Sequence, residues 1–180
     1  LDACLDGLLV DEEGTYLDFT TGAAGHAEAA LERAPRIRWL GVDRDAEILE
    51  HARARLARFG ERAELVQAQW VDLERILDER GIERLSGALF DLGVSSFQLD
   101  VPERGFAFSH DGPLDMRFDA KGNDPTAADL LATASQEQLA SWIRTYGEER
   151  FAGRIARAIV EARRRTPLRR TRELARVVEE

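Results

Sequence analysis

Short apolar runs alternate strictly with amphipathic runs over the first 95 residues, and this alternation constrains the fold more than any other feature. Helical patterns separate the apolar runs, and each helical pattern stops at a proline or a glycine. The predicted strands are 15–19, 38–43, 63–68 and 86–93, and the predicted helices between them are 26–34, 46–59 and 71–80. Strands that alternate with helices are joined by right-handed crossovers. The sequence therefore predicts an α/β fold whose parallel sheet is covered on both faces.

The pattern changes after residue 100. Residues 101–125 are rich in glycine, proline and aspartate and show no clean period, which indicates a long loop. Helical patterns follow at 126–134, 135–146, 148–165 and 171–178. The second of these opens with a capping box formed by Ser135 and Gln138, and the third places Phe151, Ile155 and Ile159 on one stripe. We therefore predict a first domain over 1–104 and a loop with a helical module over 105–180.

Charge is distributed unevenly between the two halves of the chain. The net charge is −9, but residues 141–180 hold eleven arginines and six acids, a net of +5, which leaves −14 for the first 140 residues. A basic module on an acidic protein is typical of phosphate binding. A solvated helix face rich in glutamate and arginine explains the composition equally well.

Several function classes find no support in the composition. The single cysteine, Cys4, excludes an internal disulfide and fits a reducing compartment. No apolar run approaches the roughly 20 residues of a membrane span, and no leader pattern opens the chain. The three histidines are scattered, and no metal-ligand cluster is apparent. We predict a cytoplasmic protein without membrane or metal partners, and leave its oligomeric state open.

A turn of small residues, DFTTGAAGHA at 18–27, follows the first predicted strand. Small residues let a ligand approach the backbone, and the next helix offers free N–H groups. The turn lacks the last glycine of the dinucleotide-binding pattern, which argues against a nicotinamide oxidoreductase. Asp43 follows Gly22 by 21 residues and suits the two hydroxyls of a ribose, while Asp45 is predicted to cap the next helix. Together these residues predict a nucleoside cofactor, with a plain strand–helix turn as the alternative.

Two further stretches place polar or aromatic groups at strand ends. Trp70, after the third strand, suits stacking on an adenine, or else is a partly buried core aromatic. Asp91 ends the fourth strand, and the sequence DLGVSSFQLD continues from it. A bend at Gly93 would direct Ser95, Ser96 and Gln98 into the same cleft. The alternative is a local turn capped by Asp91.

The segment at 89–119 closely resembles the bacterial family of S-adenosylmethionine-dependent 16S ribosomal RNA cytosine-N4 methyltransferases; its sequence is LFDLGVSSFQLDVPERGFAFSHDGPLDMRFD. So do GHAEAALE, GVDRD and YGEERFAGRIARAIVEARRRTPLRRTRELA, in order and over nearly the whole chain. The resemblance implies a Rossmann-like class I methyltransferase sheet, here partial, with an all-α insertion module. It also implies a fragment, since the family's opening segment and everything after the insertion are absent.

The resemblance also implies roles for individual residues. Phe19 and Ala24 stand where the family has smaller residues, and Phe19 is expected to crowd the turn. The implied contacts with S-adenosylmethionine are Ala24, Gly25, His26, Asp43, Trp70, Asp91 and Gln98.

Catalysis and RNA binding are assigned to two further sets of residues. We predict that Asp91, Ser95 and Ser96 orient or deprotonate the amine of the cytosine. The predicted contacts with 16S ribosomal RNA in the small subunit are Arg163, Arg164, Arg165, Arg169, Arg170 and Arg172. Two alternatives remain open at this point: a small-molecule methyltransferase, and a non-catalytic fragment that binds only cofactor or RNA.

Overall fold

The computed structural model describes residues 1–179 and divides into two compact units, Leu1–Ser95 and Ser96–Glu180. The first unit contains strands and helices in alternation, as the sequence predicts. Its strands are β1 (Thr15–Asp18), β2 (Arg38–Asp43), β3 (Ala63–Gln67) and β4 (Gly87–Leu89). Its helices are α1 (Asp2–Leu8), α2 (Gly25–Arg33), α3 (Ala46–Leu56) and α4 (Leu73–Glu79), with 3₁₀ turns at Ala57–Arg62 and Trp70–Asp72.

All four strands are parallel, and their order across the sheet is β3-β2-β1-β4. The order reverses between β1 and β4, because the chain adds β2 and β3 on one side of β1 and β4 on the other. Open α/β sheets bind ligands beyond the carboxyl ends of the strands at such a point. The expected parallel Rossmann-like sheet is therefore confirmed. A ligand-binding site is expected at the carboxyl ends of β1 and β4.

Alternate residues of β1 and β2 enter two separate apolar clusters. Tyr16 and Trp39, paired in register, pack with the apolar residues of α2 and α3. Leu17 and Leu40, the next pair, pack with Ile76 of α4. Because successive side chains of a strand point to opposite faces, both faces of the sheet are buried. This confirms the predicted covering of the sheet.

Two predicted elements end at least three residues earlier than the pattern suggested. β4 stops at Leu89 rather than at 93, because Leu89 pairs with Asp18, the last residue of β1, and no strand continues alongside. α3 stops at Leu56 rather than at 59, and Gly60 has φ 58° and ψ −135°, which no helix accepts.

The second unit is helical, with its own apolar core built on Leu139, Ile159 and Leu168. Its helices are α5 (Ser96–Asp100), α6 (Ala127–Thr133), α7 (Gln136–Gly147), α8 (Ala152–Arg165) and α9 (Thr171–Glu179), with a 3₁₀ turn at Pro102–Arg104. The sequence did not predict α5. Phe151 was wrongly assigned to the buried stripe of α8. It precedes the helix, is 43% exposed and lies beneath the guanidinium groups of Arg150 and Arg154.

The loop between the 3₁₀ turn and α6 is held to the helical module by hydrogen bonds. The guanidinium of buried Arg104 donates to the carbonyl oxygens of Arg117 and Phe118 at 3.0 and 2.7 Å. The N–H of Leu114 donates to the carbonyl of Arg169 at 2.8 Å. A segment without secondary-structure periodicity is thus ordered by contacts that no periodic pattern reveals.

Candidate functional site

The turn after β1 has the backbone geometry of a ligand-binding turn. Gly22 and Ala24 both have positive φ, 51° and 63°. The methyl group of Ala24 is fully buried with the residues of α2 and α3, so it faces the core and not the open side of the turn. The main-chain strain at a non-glycine residue costs about 1–2 kcal/mol. Ala24 as a whole is 0% exposed, so its side chain offers no surface to a ligand.

The N-terminus of α2 presents unpaired donors. The N–H groups of Gly25, His26 and Ala27 have no acceptor among the described residues, as expected for the first turn of a helix. The positive end of the helix dipole lies at the same place. This terminus suits a carboxylate or another anionic group of a ligand.

Asp43, the last residue of β2, reaches across to this turn. Its Oδ2 accepts the N–H of Gly22 at 2.8 Å, and its Oδ1 accepts the N–H of Asp45 at 3.0 Å. Burial raises the pKa of Asp43, and the hydrogen bonds from Asp45 and Gly22 oppose that shift. The prediction that Asp45 caps the next helix is confirmed. Its side chain accepts the N–H groups of Glu47 and Ile48 at the start of α3.

Trp70 begins the 3₁₀ turn after β3, three residues beyond Gln67, which pairs with Asp43. The residue is 75% exposed. The alternative of a partly buried core aromatic is therefore wrong. A flat exposed indole at this edge remains available for stacking.

Asp91 lies two residues beyond the end of β4. Its backbone N–H donates to Oγ1 of Thr20 at 2.7 Å, whereas its carboxylate accepts no hydrogen bond among the described residues. The predicted bend at Gly93 is present. The alternative of a local turn capped by Asp91 is not observed, so the acid remains free for a ligand.

Asp18, the last residue of β1, was not singled out from the sequence. It is 1% exposed, and its Oδ1 accepts the N–H of Thr20 at 3.0 Å. Burial raises its pKa to about 7, the hydrogen bonds from Thr20 oppose the shift, and repulsion from Asp43 and Asp91 adds to it. The available signal was an acid at the last position of a buried strand, next to a strand-order reversal.

The structure thus places most of the predicted cofactor residues at one edge of the first unit. They are Ala24, Gly25, His26, Asp43, Trp70 and Asp91. Ser95 is the last residue of this unit. Ser96 and Gln98 belong to α5 of the second unit, where Gln98 is 3% exposed.

The six arginines of the predicted RNA surface differ in how they are bound. Arg170 donates to the carboxylate of Asp111 at 2.6 Å and lowers the pKa of that acid, and Arg172 donates to the carbonyl of Ser109 at 3.1 Å. Arg163 donates to the carbonyl of Leu131. The remaining three side chains have no partner among the described residues: Arg164, Arg165 and Arg169. Arg163 and Arg169 line a cavity of about 490 Å³ in this unit.

Residues 1–179 contain neither a metal-binding cluster nor a membrane-spanning helix. No group of three or more histidine, cysteine or acidic side chains there has the arrangement of a metal site. No helix in that range is long and apolar enough to cross a membrane.

A parallel sheet with this order, a small-residue turn after β1, an acid at the end of β2 and an acid just after β4 are consistent with a Rossmann-like methyltransferase fold. The comparison with protein families identifies it further. Residues 1–180 match the MraW methylase family, and the chain belongs to that family.

Curated relatives are similar along almost the whole chain. The ribosomal RNA small subunit methyltransferase H of Thermobifida fusca is 54% identical over 162 residues, which is 90% of this chain and 49% of the relative. The protein of the same name from Oleidesulfovibrio alaskensis is 51% identical over 180 residues, 99% of this chain and 55% of the relative. The chain therefore spans about half the length of the curated relatives it matches.

Proposed function

We propose that the complete protein carrying this chain transfers a methyl group from S-adenosylmethionine to the exocyclic N4 of a cytosine in 16S ribosomal RNA. One observation carries the proposal: free helix N–H groups, a ribose-spaced acid and an unpaired acid lie together where the strand order reverses. The names of the relatives, ribosomal RNA small subunit methyltransferase, support the substrate class. The proposed setting is the small ribosomal subunit in the cytoplasm.

The residues at this edge fit the cofactor. The N–H groups of Gly25 and His26 suit its carboxylate, Asp43 suits its ribose hydroxyls, and the exposed indole of Trp70 suits its adenine. Asp43 and Asp91 give the edge a negative potential, which suits a ligand with a net positive charge. S-adenosylmethionine supplies an electrophilic methyl group on such a cationic sulfonium.

Asp91 is proposed to act on the acceptor amine. The lone pair of a cytosine amine is delocalised into the ring, so the amine is a weak nucleophile. A carboxylate that accepts one N–H of the amine draws the nitrogen toward a tetrahedral form and can take up the proton that it loses. Ser95 and Ser96 are proposed to assist in orienting the amine. Alignment of the two reactants supplies up to about 7–11 kcal/mol.

Acids close to a sulfonium also carry a cost. The sulfonium loses its charge during transfer, so attraction in the ground state raises the barrier. We therefore propose that Asp43 holds the ribose and Asp91 holds the amine, rather than either contacting the sulfur. Gln98 is proposed as a further cofactor contact, and the arginines of the helical module as contacts with RNA phosphates.

The test is methyl transfer by the complete protein from methyl-labelled S-adenosylmethionine to small ribosomal subunits. Digestion and mass spectrometry of the nucleosides should find N4-methylated cytidine, and Asp91→Asn should reduce its rate of formation. Calorimetry with S-adenosylmethionine, and with NAD as control, reports the cofactor separately. Label in small molecules but not in RNA would favour a small-molecule methyltransferase, and cofactor binding without any transfer would favour a binding protein.

A further inference from the structure

We infer that Thr20 is a positioning residue that fixes the main chain of Asp91 for methyl transfer. The inference rests on the proposed function for its kinetic consequence and on the hydrogen bonds of the first unit for its geometry. Neither the family match nor the names of the relatives assign a role to Thr20.

Three contacts continue the attachment of β4 to β1 after the strand pairing ends. Asp18 and Leu89 form the last register pair. The N–H of Phe19 donates to the carbonyl of Leu89 at 3.1 Å, and the rings of Phe19 and Phe90 stack with centroids 5.9 Å apart. The N–H of Asp91 then donates to Oγ1 of Thr20 at 2.7 Å. Thr20 therefore replaces a strand partner with its side chain.

The chain beyond Asp91 has no comparable attachment. Among the described residues, 92–94 take part in no hydrogen bond. Leu92 is 83% exposed, and a Cβ added at Gly93 would meet nothing within 4 Å. The bond to Thr20 is thus the last hydrogen bond before a free stretch of three residues. Without it, the nearest preceding hydrogen bond is the one that the carbonyl of Leu89 accepts from Phe19, and Phe90 is held only by the stacking of its ring on Phe19.

The hydroxyl of Thr20 is itself held in place. The N–H of Thr20 donates to Oδ1 of Asp18 at 3.0 Å, and its Oγ1 lies 3.4 Å from the same oxygen. Asp18 is 1% exposed and is part of β1, so this acceptor is fixed by the sheet. With its proton directed toward Asp18, Oγ1 offers a lone pair to Asp91. A β-branched residue also restricts the rotation of that hydroxyl.

This arrangement has a kinetic consequence. A displacement of about 1 Å between reacting groups costs on the order of 100-fold in rate. A residue that fixes the backbone of Asp91, without touching the cofactor, should change kcat and leave the KM for S-adenosylmethionine nearly unchanged. The side chain that acts on the amine is that of Asp91, and Thr20 acts only through it.

The experiment compares three variants of the complete protein: Thr20→Val, Thr20→Ser and Thr21→Val. Valine keeps the shape of threonine and removes the hydroxyl. Serine keeps the hydroxyl and should restore most of the activity. Thr21→Val is the matched control, because Oγ1 of Thr21 donates to the backbone carbonyl of Asp18 at 3.0 Å and does not contact Asp91. Thermal unfolding of each variant reports any general loss of stability.

Two readouts decide the question. The first is the hydrogen-exchange rate of the Asp91 amide, measured by NMR, which should rise in Thr20→Val and remain at the wild-type value in Thr21→Val. The second is steady-state methylation of small ribosomal subunits, where Thr20→Val should lower kcat about tenfold or more with KM for the cofactor changed less than about threefold.

Unchanged amide exchange, unchanged kcat, or a rise in KM alone in Thr20→Val would each overturn the inference. Equal losses in Thr20→Val and Thr21→Val would do the same, since they would indicate a general effect on the turn. If the wild-type protein methylates no RNA, the proposed function fails, and the exchange rate of the Asp91 amide alone decides whether Thr20 anchors it.

Discussion

Asp18 joins the sheet to the candidate site, and its ionisation should make the stability of the protein depend on pH. Burial raises its pKa from 3.8 to about 7. Between these two values the folded state binds more protons than the unfolded state, so the free energy of unfolding falls as the pH rises. Above pH 7 the acid is ionised in both states, and its contribution levels off.

Asp18→Asn should therefore become more stable relative to wild type as the pH rises from about 4 to about 7. The amide keeps an oxygen that can accept the N–H of Thr20 and does not ionise. In the middle of this range the difference in unfolding free energy should change by roughly 1.4 kcal/mol per pH unit. Urea unfolding at several pH values measures this change. Asp78→Asn, at an exposed position of α4, is the control for loss of a surface carboxylate. A difference that does not vary with pH would contradict the assignment.

Asp43 should determine the affinity for the cofactor. In Asp43→Asn the residue keeps its size but loses its charge and one acceptor oxygen, which weakens the hold on the ribose hydroxyls. Hydrogen bonds to a charged group contribute about 1.5–3 kcal/mol, so S-adenosylmethionine should bind roughly tenfold more weakly or worse, as measured by calorimetry. Asp45→Asn is the matched control, because it removes the same charge two residues away and asparagine caps a helix as well as aspartate. Equal losses in the two variants would assign the effect to charge alone.

Individual site residues differ in how far the sequence could reveal them. The spacing from Gly22 to Asp43 and the capping position of Asp45 can both be read from the sequence. The structure confirms the cap and shows Asp43 accepting the N–H of Gly22, while the contact of Asp43 with a ribose stays a prediction. The raised pKa of Asp18 depends on burial and on two distant acids, Asp43 at the end of β2 and Asp91 after β4, which no local pattern contains. The concern that Phe19 would crowd the turn was wrong, because its ring packs with Leu17 and Val42 in the core and stacks on Phe90.

At the scale of the element, the capping box of α7 offers a direct test. The Ser135 side chain accepts the N–H of Gln138 at 3.2 Å, and the Gln138 side chain accepts the N–H of Ser135 at 2.8 Å. Ser135→Ala removes the first of these bonds and should lower the free energy of unfolding by about 1 kcal/mol. Ser141→Ala, within the same helix, is the control and should be neutral or slightly stabilising, because alanine is the better helix former. Urea unfolding of both variants gives the comparison.

Secondary structure was predictable where a local period or cap determines it. β2 begins and ends at the predicted residues, since its apolar run is bounded by Pro35 and by the cap at Asp45. The end of β4 was not predictable from a local pattern, because it is set by the end of β1, which lies 71 residues earlier in the chain. The ordered loop before α6 was also beyond prediction, since Arg104 holds it through backbone carbonyls.

At the scale of the whole molecule, the charge asymmetry predicted a basic surface, but not which arginines remain available. Arg170 and Arg172 bind the loop at 109–111, so part of the predicted cluster organises the helical module itself. The predicted domain boundary at 104 was based on the loss of periodicity. The two units of the structure divide at Ser95, just beyond the bend at Gly93.

The available arginines should determine how steeply RNA affinity depends on salt. Each phosphate neutralised on single-stranded RNA contributes about −0.7 to the slope of log K against log salt. Arg164, Arg165 and Arg169 have no partner among the described residues, so changing all three to glutamine should make the slope less steep by roughly 2. The measurement is a salt titration of RNA binding by the complete protein. Changing Arg144, Arg157 and Arg176 to glutamine removes the same net charge from the same unit and serves as the matched control. Equal slopes for the two triple variants would mean that the net charge of the unit attracts RNA, and the contact surface would then have to be sought elsewhere.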